Sequence, residues 1–151
     1  MKGMSLIVKR ITRYTVGLIL LFGIYIVLHG HITPGGGFAG GVIIALSFIH
    51  LMLAFGREEA DKSIKENIIS FGEPVGGLMF LSIALIGLAG GVFFFNFFAS
   101  KGEPFSILSA GIIPLCNIAI ALKVASGLFG VFVVLSLFRL SGDKKTDEIK
   151  K

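Results

Sequence analysis

The chain is short of charge and of cysteine: only 15% of its 151 residues are Asp, Glu, Lys or Arg, and cysteine occurs once, as Cys116. A lone cysteine excludes an internal disulfide and any multi-cysteine zinc or iron–sulfur site within the chain, and it leaves the redox compartment unreadable. The scarcity of charge excludes an ordinary soluble domain. Hydrophobic residues make up 54% of the chain and the mean hydropathy is +0.92, against about 45–50% apolar residues in a typical soluble protein. A soluble fold would also spread polar residues along every element, whereas here the charges sit in a few blocks. The net charge of +5 does not point to nucleic acid, because the basic residues flank hydrophobic runs, the pattern of the cytoplasmic side of a membrane protein.

Four apolar runs stand between those blocks: about 11–28, 38–55, 74–98 and 112–138. The first two are near the lower limit for a bilayer-spanning helix and the last two can span with tilt. The first run could alternatively be a secretory signal, since Lys9, Arg10 and Arg13 resemble a positive n-region, but it is long for an h-region and His29-Gly30-His31 follows without a small-x-small cleavage site. The expected fold is therefore all-α and integral to the membrane, with four transmembrane helices in residues 1–140 and a polar tail at 141–151. Basic residues set the orientation. Lys2, Lys9, Arg10, Arg13, Arg57, Lys62, Lys65, Arg139, Lys144, Lys145, Lys150 and Lys151 fall on one side of a four-span arrangement and Lys101 alone on the other. Both termini are thus expected in the cytoplasm. Ile64, Ile68 and Phe71 recur at helical spacing and suit either a short interfacial helix or a solvated linker. The tail after Ser141, with almost no apolar content, is expected to be disordered at its end.

The segment His29-Gly30-His31-Ile32-Thr33-Pro34-Gly35-Gly36-Gly37-Phe38 joins the first two runs, and Gly35 to Gly40 spells G-x-G-x-x-G. The dinucleotide fingerprint needs a strand before it and a βαβ unit around it, and here apolar helices flank it on both sides, so no nucleotide site is expected. Pro34 stops helix continuation, and Gly35, Gly36 and Gly37 permit a tight turn. Gly36 with Gly40, and Gly37 with Gly41, form small-xxx-small pairs suited to close helix packing. Ser47, His50 and Ala54 continue that stripe. His50 is either a proton-relay residue or a hydrogen-bonded packing residue. In the third run Gly77, Ala84, Gly87 and Gly91 form a second packing seam, with Asn96 and several phenylalanines toward its outer end.

Lys123 is the main candidate for chemistry. An ionisable side chain at the centre of a span costs about 2.5–3.5 kcal/mol on insertion scales, so it calls for a counter-charge or a wet cavity unless it snorkels. Cys116, Ala119, Ser126, Gly127 and Gly130 share its side of the helix, and Gly127 and Gly130 are expected to serve helix packing. No Asp or Glu lies within the four runs as bounded above, so the expected partner is His50, Asn117, water or an acidic residue of another chain. A missing counter-charge points to a larger complex. A self-sufficient homo-oligomeric transporter or channel, the alternative, would carry its own intramembrane carboxylate or charge pair. A haem-binding redox subunit is disfavoured because His29 and His31 lie at one end of the spans and His50 toward the other. No cofactor or metal site is expected.

The segment Gly30-His31-Ile32-Thr33-Pro34-Gly35-Gly36-Gly37-Phe38-Ala39-Gly40-Gly41 resembles the B-subunit family of Mrp-type multisubunit sodium/proton antiporters, whose hallmark is a G-H-x-x-P-G-G-G-F turn between spans one and two. Pro114 to Gly130 also resembles that family's fourth span. The resemblance implies four helices and a non-catalytic accessory subunit in the cell membrane. It implies assembly with large antiporter-like subunits that handle sodium ions and protons. Related modules are built into archaeal membrane-bound hydrogenase and sulfur-reductase complexes, and N-I-A-I-A-L-K-V looks more like those versions. The family supplies no catalytic residues to transfer.

Overall fold

The computed structural model describes residues 4–56, 66–96 and 110–149. They form four α-helices: α1 (Leu6–Leu28), α2 (Gly36–Phe55), α3 (Glu66–Ala89) and α4 (Ile113–Ile149). Each contains a segment long and apolar enough to cross a bilayer. No strand occurs among the described residues.

Glycines and a proline set the helix ends. Gly35 takes φ 132° immediately before α2, and Gly56 takes φ 87° after it. Those left-handed values are open to glycine and strained for other residues. The Gly56 N–H donates to Met52 O at 3.0 Å, and Met4 N–H donates to Ala54 O at 2.9 Å, so the start of the chain is strapped to the end of α2.

The helices pack in the order α1, α2, α4, α3: α1 lies along α2, α2 along α4 and α4 along α3, while α1 meets α4 only marginally. No substantial seam joins α1 to α3, so the arrangement is an open row rather than a closed bundle. Helix α2 is the most buried member, with 33% of its span buried against 17–22% for the others. Its buried residues are mostly small: Gly36, Gly37, Gly40, Gly41, Ala45, Ser47 and Ala54, with Met52. This is what packing between membrane helices demands, since lipid is as apolar as leucine and close backbone approach supplies the attraction. Met52 and Phe129 form a larger apolar contact, flanked by Phe48, Ile49, Phe132 and Val133.

Three features differ from the sequence expectation. Helix α3 starts before Pro74 and carries it inside the helix, which membrane helices tolerate because neighbouring elements re-satisfy the freed backbone group. Only the part of the proposed interfacial segment from Glu66 onward is described, and there it is continuous with α3; Ile64 lies outside the described residues, as does Lys101. Helix α3 also ends at Ala89, so Gly91, Phe93, Phe94 and Asn96 lie beyond it, in a turn where Phe94 takes φ 58° and Gly91 φ 98°. Paired glycines at 90 and 91 terminate the helix although hydropathy continues. Finally, α4 runs on to Ile149. The Lys and Glu residues that follow Gly142 are good helix formers.

Candidate functional site

The signature turn is a socket for one side chain of α4. His29 closes α1, its N–H donating to Tyr25 O at 3.0 Å, and its ring stacks on Tyr25 with centroids 4.2 Å apart. The backbone N–H groups of Ile32 and Thr33 each donate to His29 O at 2.9 Å, and the Thr33 hydroxyl donates to the same oxygen at 3.1 Å. This fold-back brings Gly30 beside Gly36. Asn117 of α4 enters between them, its Oδ1 accepting the Gly37 N–H at 3.3 Å. A Cβ at Gly30 would stand 2.6 Å from Asn117 Nδ2, one at Gly36 would stand 3.2 Å from Asn117 Oδ1, and one at Gly37 would meet the Asn117 backbone oxygen. The Asn117 amide answers one of the free N–H groups at the start of α2. Asn117 Nδ2 and both ring nitrogens of His31 are buried without a hydrogen-bond partner in the chain.

Farther along α2, close approach continues on two sides. A Cβ at Gly40 would stand 2.9 Å from Gly23 O of α1, and one at Gly41 would stand 2.9 Å from Ala121 O of α4. Adjacent glycines thus admit two different helices. On α3, a Cβ at Gly76 would lie 2.7 Å from Lys123 N, and one at Gly87 would lie 2.6 Å from Phe95 N in the turn that folds back on it. Gly91 is not in this seam: nothing lies within 4 Å of the position its Cβ would take.

His50 and Lys123 occupy different seams. The His50 Nε2 and Thr12 Oγ1 lie 3.4 Å apart between α2 and α1, with Thr12 only 1% exposed. Close by, Lys9 and Arg13 sit over the Phe55 ring at 5.6 and 5.7 Å. Lys123 belongs instead to the α3–α4 seam and is exposed in the isolated chain. Its backbone is held against Gly76, and its Nζ lies 3.9 Å from where a Cβ of Gly77 would be. Neither residue expected as its in-chain partner is there: Asn117 is engaged at Gly37 and His50 faces Thr12.

A carboxylate lies on the same seam, although it forms no ion pair with Lys123 in the isolated chain. Glu73 lies inside the apolar segment Phe71–Ala89, so the expectation of spans free of acid does not hold. Its carboxyl sits over Gly127, 3.7 Å from the Cβ position. Because Glu73 precedes Gly77 by four residues and Lys123 precedes Gly127 by four, both charged side chains occupy the same face of the seam. The Ser126 hydroxyl turns inward, donating to Leu122 O and, at 3.3 Å, to Lys123 O. Glu73 stands just before Pro74, where proline preferences favour a helix start, so the sequence does not mark it as part of the span. Asn117 and Thr12 were also missed as anchors; the available signal for Asn117 was that it is the sole amide in α4.

Four apolar helices, packed through glycine and carrying polar side chains inside the spans, define a multi-pass membrane protein. Residues 7–130 match the profile described as "Domain related to MnhB subunit of Na+/H+ antiporter", and the chain belongs to this family. A Methanocaldococcus jannaschii protein of uncharacterized function is 41% identical over 79% of this chain and 47% of its own length. A Staphylococcus epidermidis protein carrying the antiporter-subunit name mnhB2 is 42% identical over 42% of this chain and 45% of its own length. The chain therefore spans about half the length of these curated relatives. Among solved structures, it is similar to a chain of the membrane-bound sulfane sulfur reductase, an archaeal respiratory membrane complex. That match has a TM-score of 0.69 and 34% identity, covering 85% of this chain and 56% of the other.

Proposed function

We propose that this chain is an accessory, non-catalytic membrane subunit of an Mrp-type sodium/proton antiporter module, housed in an archaeal-type respiratory complex of the hydrogenase or sulfur-reductase kind. In that setting it supports assembly and coupled ion translocation. The observation that carries this reading is the likeness, at 34% identity, to a chain of an archaeal respiratory membrane complex. The open row of helices agrees with it, since a wall with two uncovered faces needs neighbours in a way that a closed bundle does not. Its partners would be the other membrane subunits, with both termini on the cytoplasmic side, a placement that the distribution of Lys and Arg supports. Lys123 and His50 remain the candidates for an ion path in this chain, and Pro34 to Gly37 the structural turn.

Purification of the tagged chain from its native membrane in mild detergent is the test. Co-purification of several other membrane subunits is the expected result. Recovery of an active homo-oligomer alone would overturn the reading and favour a self-sufficient transporter.

A further inference from the structure

Lys123 and Glu73 both stand on the open face of the α3–α4 seam, inside segments apolar enough to cross a bilayer. Both side chains are exposed in the isolated chain. Between them lies a floor of glycine: Lys123 Nζ beside Gly77, and the Glu73 carboxyl beside Gly127. The packing within the chain does not require Gly127 to be glycine, because a Cβ there would make only ordinary contacts at 3.7–4.0 Å. Gly76, on the opposite side of the same seam, would meet backbone at 2.7 Å.

The geometry points to Glu73 and Lys123 being each other's counter-charge, and to the pair forming a polar rung on which an uncharged hydroxyl- or amide-bearing membrane helix of another subunit seats. The inference rests on the accessory-subunit reading for its second part only. An unpaired ion in a span is expensive, and α3 and α4 place one cation and one anion on one face at neighbouring levels, so pairing them offsets much of that cost without a third charge. An ammonium has three donors and a carboxylate about four acceptor sites, so a single pair leaves hydrogen-bonding capacity unmet. Lipid tails offer nothing to that remainder. A neutral polar side chain does, and an additional charged one would leave an ion unbalanced. The charge complementarity is therefore with a dipole, and the low floor at Gly77 and Gly127 lets a partner helix come close enough to supply it.

The test uses Lys123→Met, Glu73→Gln, the double variant, and the exchanged pair Lys123→Glu with Glu73→Lys, all expressed in the full complex. Two quantities are read: the amount of chain in the membrane, and the amount of complex recovered in mild detergent. Each single variant is expected to lower both by about tenfold, since it leaves one ion unanswered. The double variant should return the chain to near the wild-type level while complex recovery stays reduced by about fivefold, because the partner's polar group has lost its rung. The exchanged pair should restore the chain level. A double variant no better than the worse single variant would show that the two charges are not partners. Full recovery of the complex in the double variant would show that lipid covers this face. If the wild-type chain itself brings down no other subunit, the accessory reading falls, and the chain-level comparison still decides the pairing.

Discussion

Replacing Gly37 with alanine should separate two classes of glycine in this protein. The added Cβ would overlap the Asn117 backbone oxygen and lie 2.9 Å from the Asn117 Cα and 3.0 Å from its carbonyl carbon. These are backbone atoms of α4, so no side chain can rotate away, and α2 and α4 must move apart by several tenths of an ångström or more. That movement strains the 3.3 Å bond from the Gly37 N–H to Asn117 Oδ1, worth about 1 kcal/mol, and the packing of Gly41 against Ala121 beyond it. Overpacking costs about 1–3 kcal/mol, and the better helix propensity of alanine returns up to about 1 kcal/mol. The net expectation is a loss of about 2 kcal/mol. Gly127→Ala is the control, with contacts no nearer than 3.7 Å, and should be neutral or slightly stabilising in the isolated chain. The assay is reversible unfolding of the purified chain in detergent, or its melting in a fluorescence-detected gel-filtration series. Equal stability of Gly37→Ala and wild type, or equal losses at positions 37 and 127, would refute the close approach of α2 and α4 at the turn.

Asn117→Ala removes the acceptor for Gly37 and should cost about 1 kcal/mol in the same assay, whereas Asn117→Asp, which keeps an acceptor oxygen, should retain more of the stability than Ala does. Thr12→Val preserves shape at a site 1% exposed and loses only a 3.4 Å contact with His50, so a change of less than about 1 kcal/mol is expected; a larger loss would mean the Thr12–His50 contact is tighter than described. Phe129→Ala empties the contact with Met52 and Phe48 and should destabilise by about 2–4 kcal/mol through the cavity left behind, read as a lower midpoint of unfolding. Phe55→Ala removes the ring under Lys9 and Arg13 and should cost about 0.5–1 kcal/mol, with little effect on the α2–α4 seam.

Much of this molecule is written along the chain because the membrane imposes one-dimensional rules. A span must be apolar for about 20 residues, so hydropathy alone marked four helices, and the glycine turn between α1 and α2 followed from Pro34 and its neighbours. The family signature is local for the same reason. What escaped was set by partners distant in sequence. Asn117 meets Gly37 across 80 residues, and nothing in either neighbourhood announces the other. Glu73 precedes a proline, and proline preferences place a helix start there; in the structure the helix runs through that point and the Glu73 carboxyl lies near Gly127 of α4.

The sequence by itself determined the solvent of the protein, the number of its spans and its family, because those depend on the local balance of apolar, basic and turn-forming residues. The tertiary structure decided which helices touch, that α2 is the most buried member of an open row, and that Lys123 and Glu73 lie on the same seam between α3 and α4. Helix neighbours are chosen by surface fit between backbones, and that fit depends on where glycines from separate helices come to lie at the same level. It is a property of pairs of helices, and no single stretch of the chain contains it.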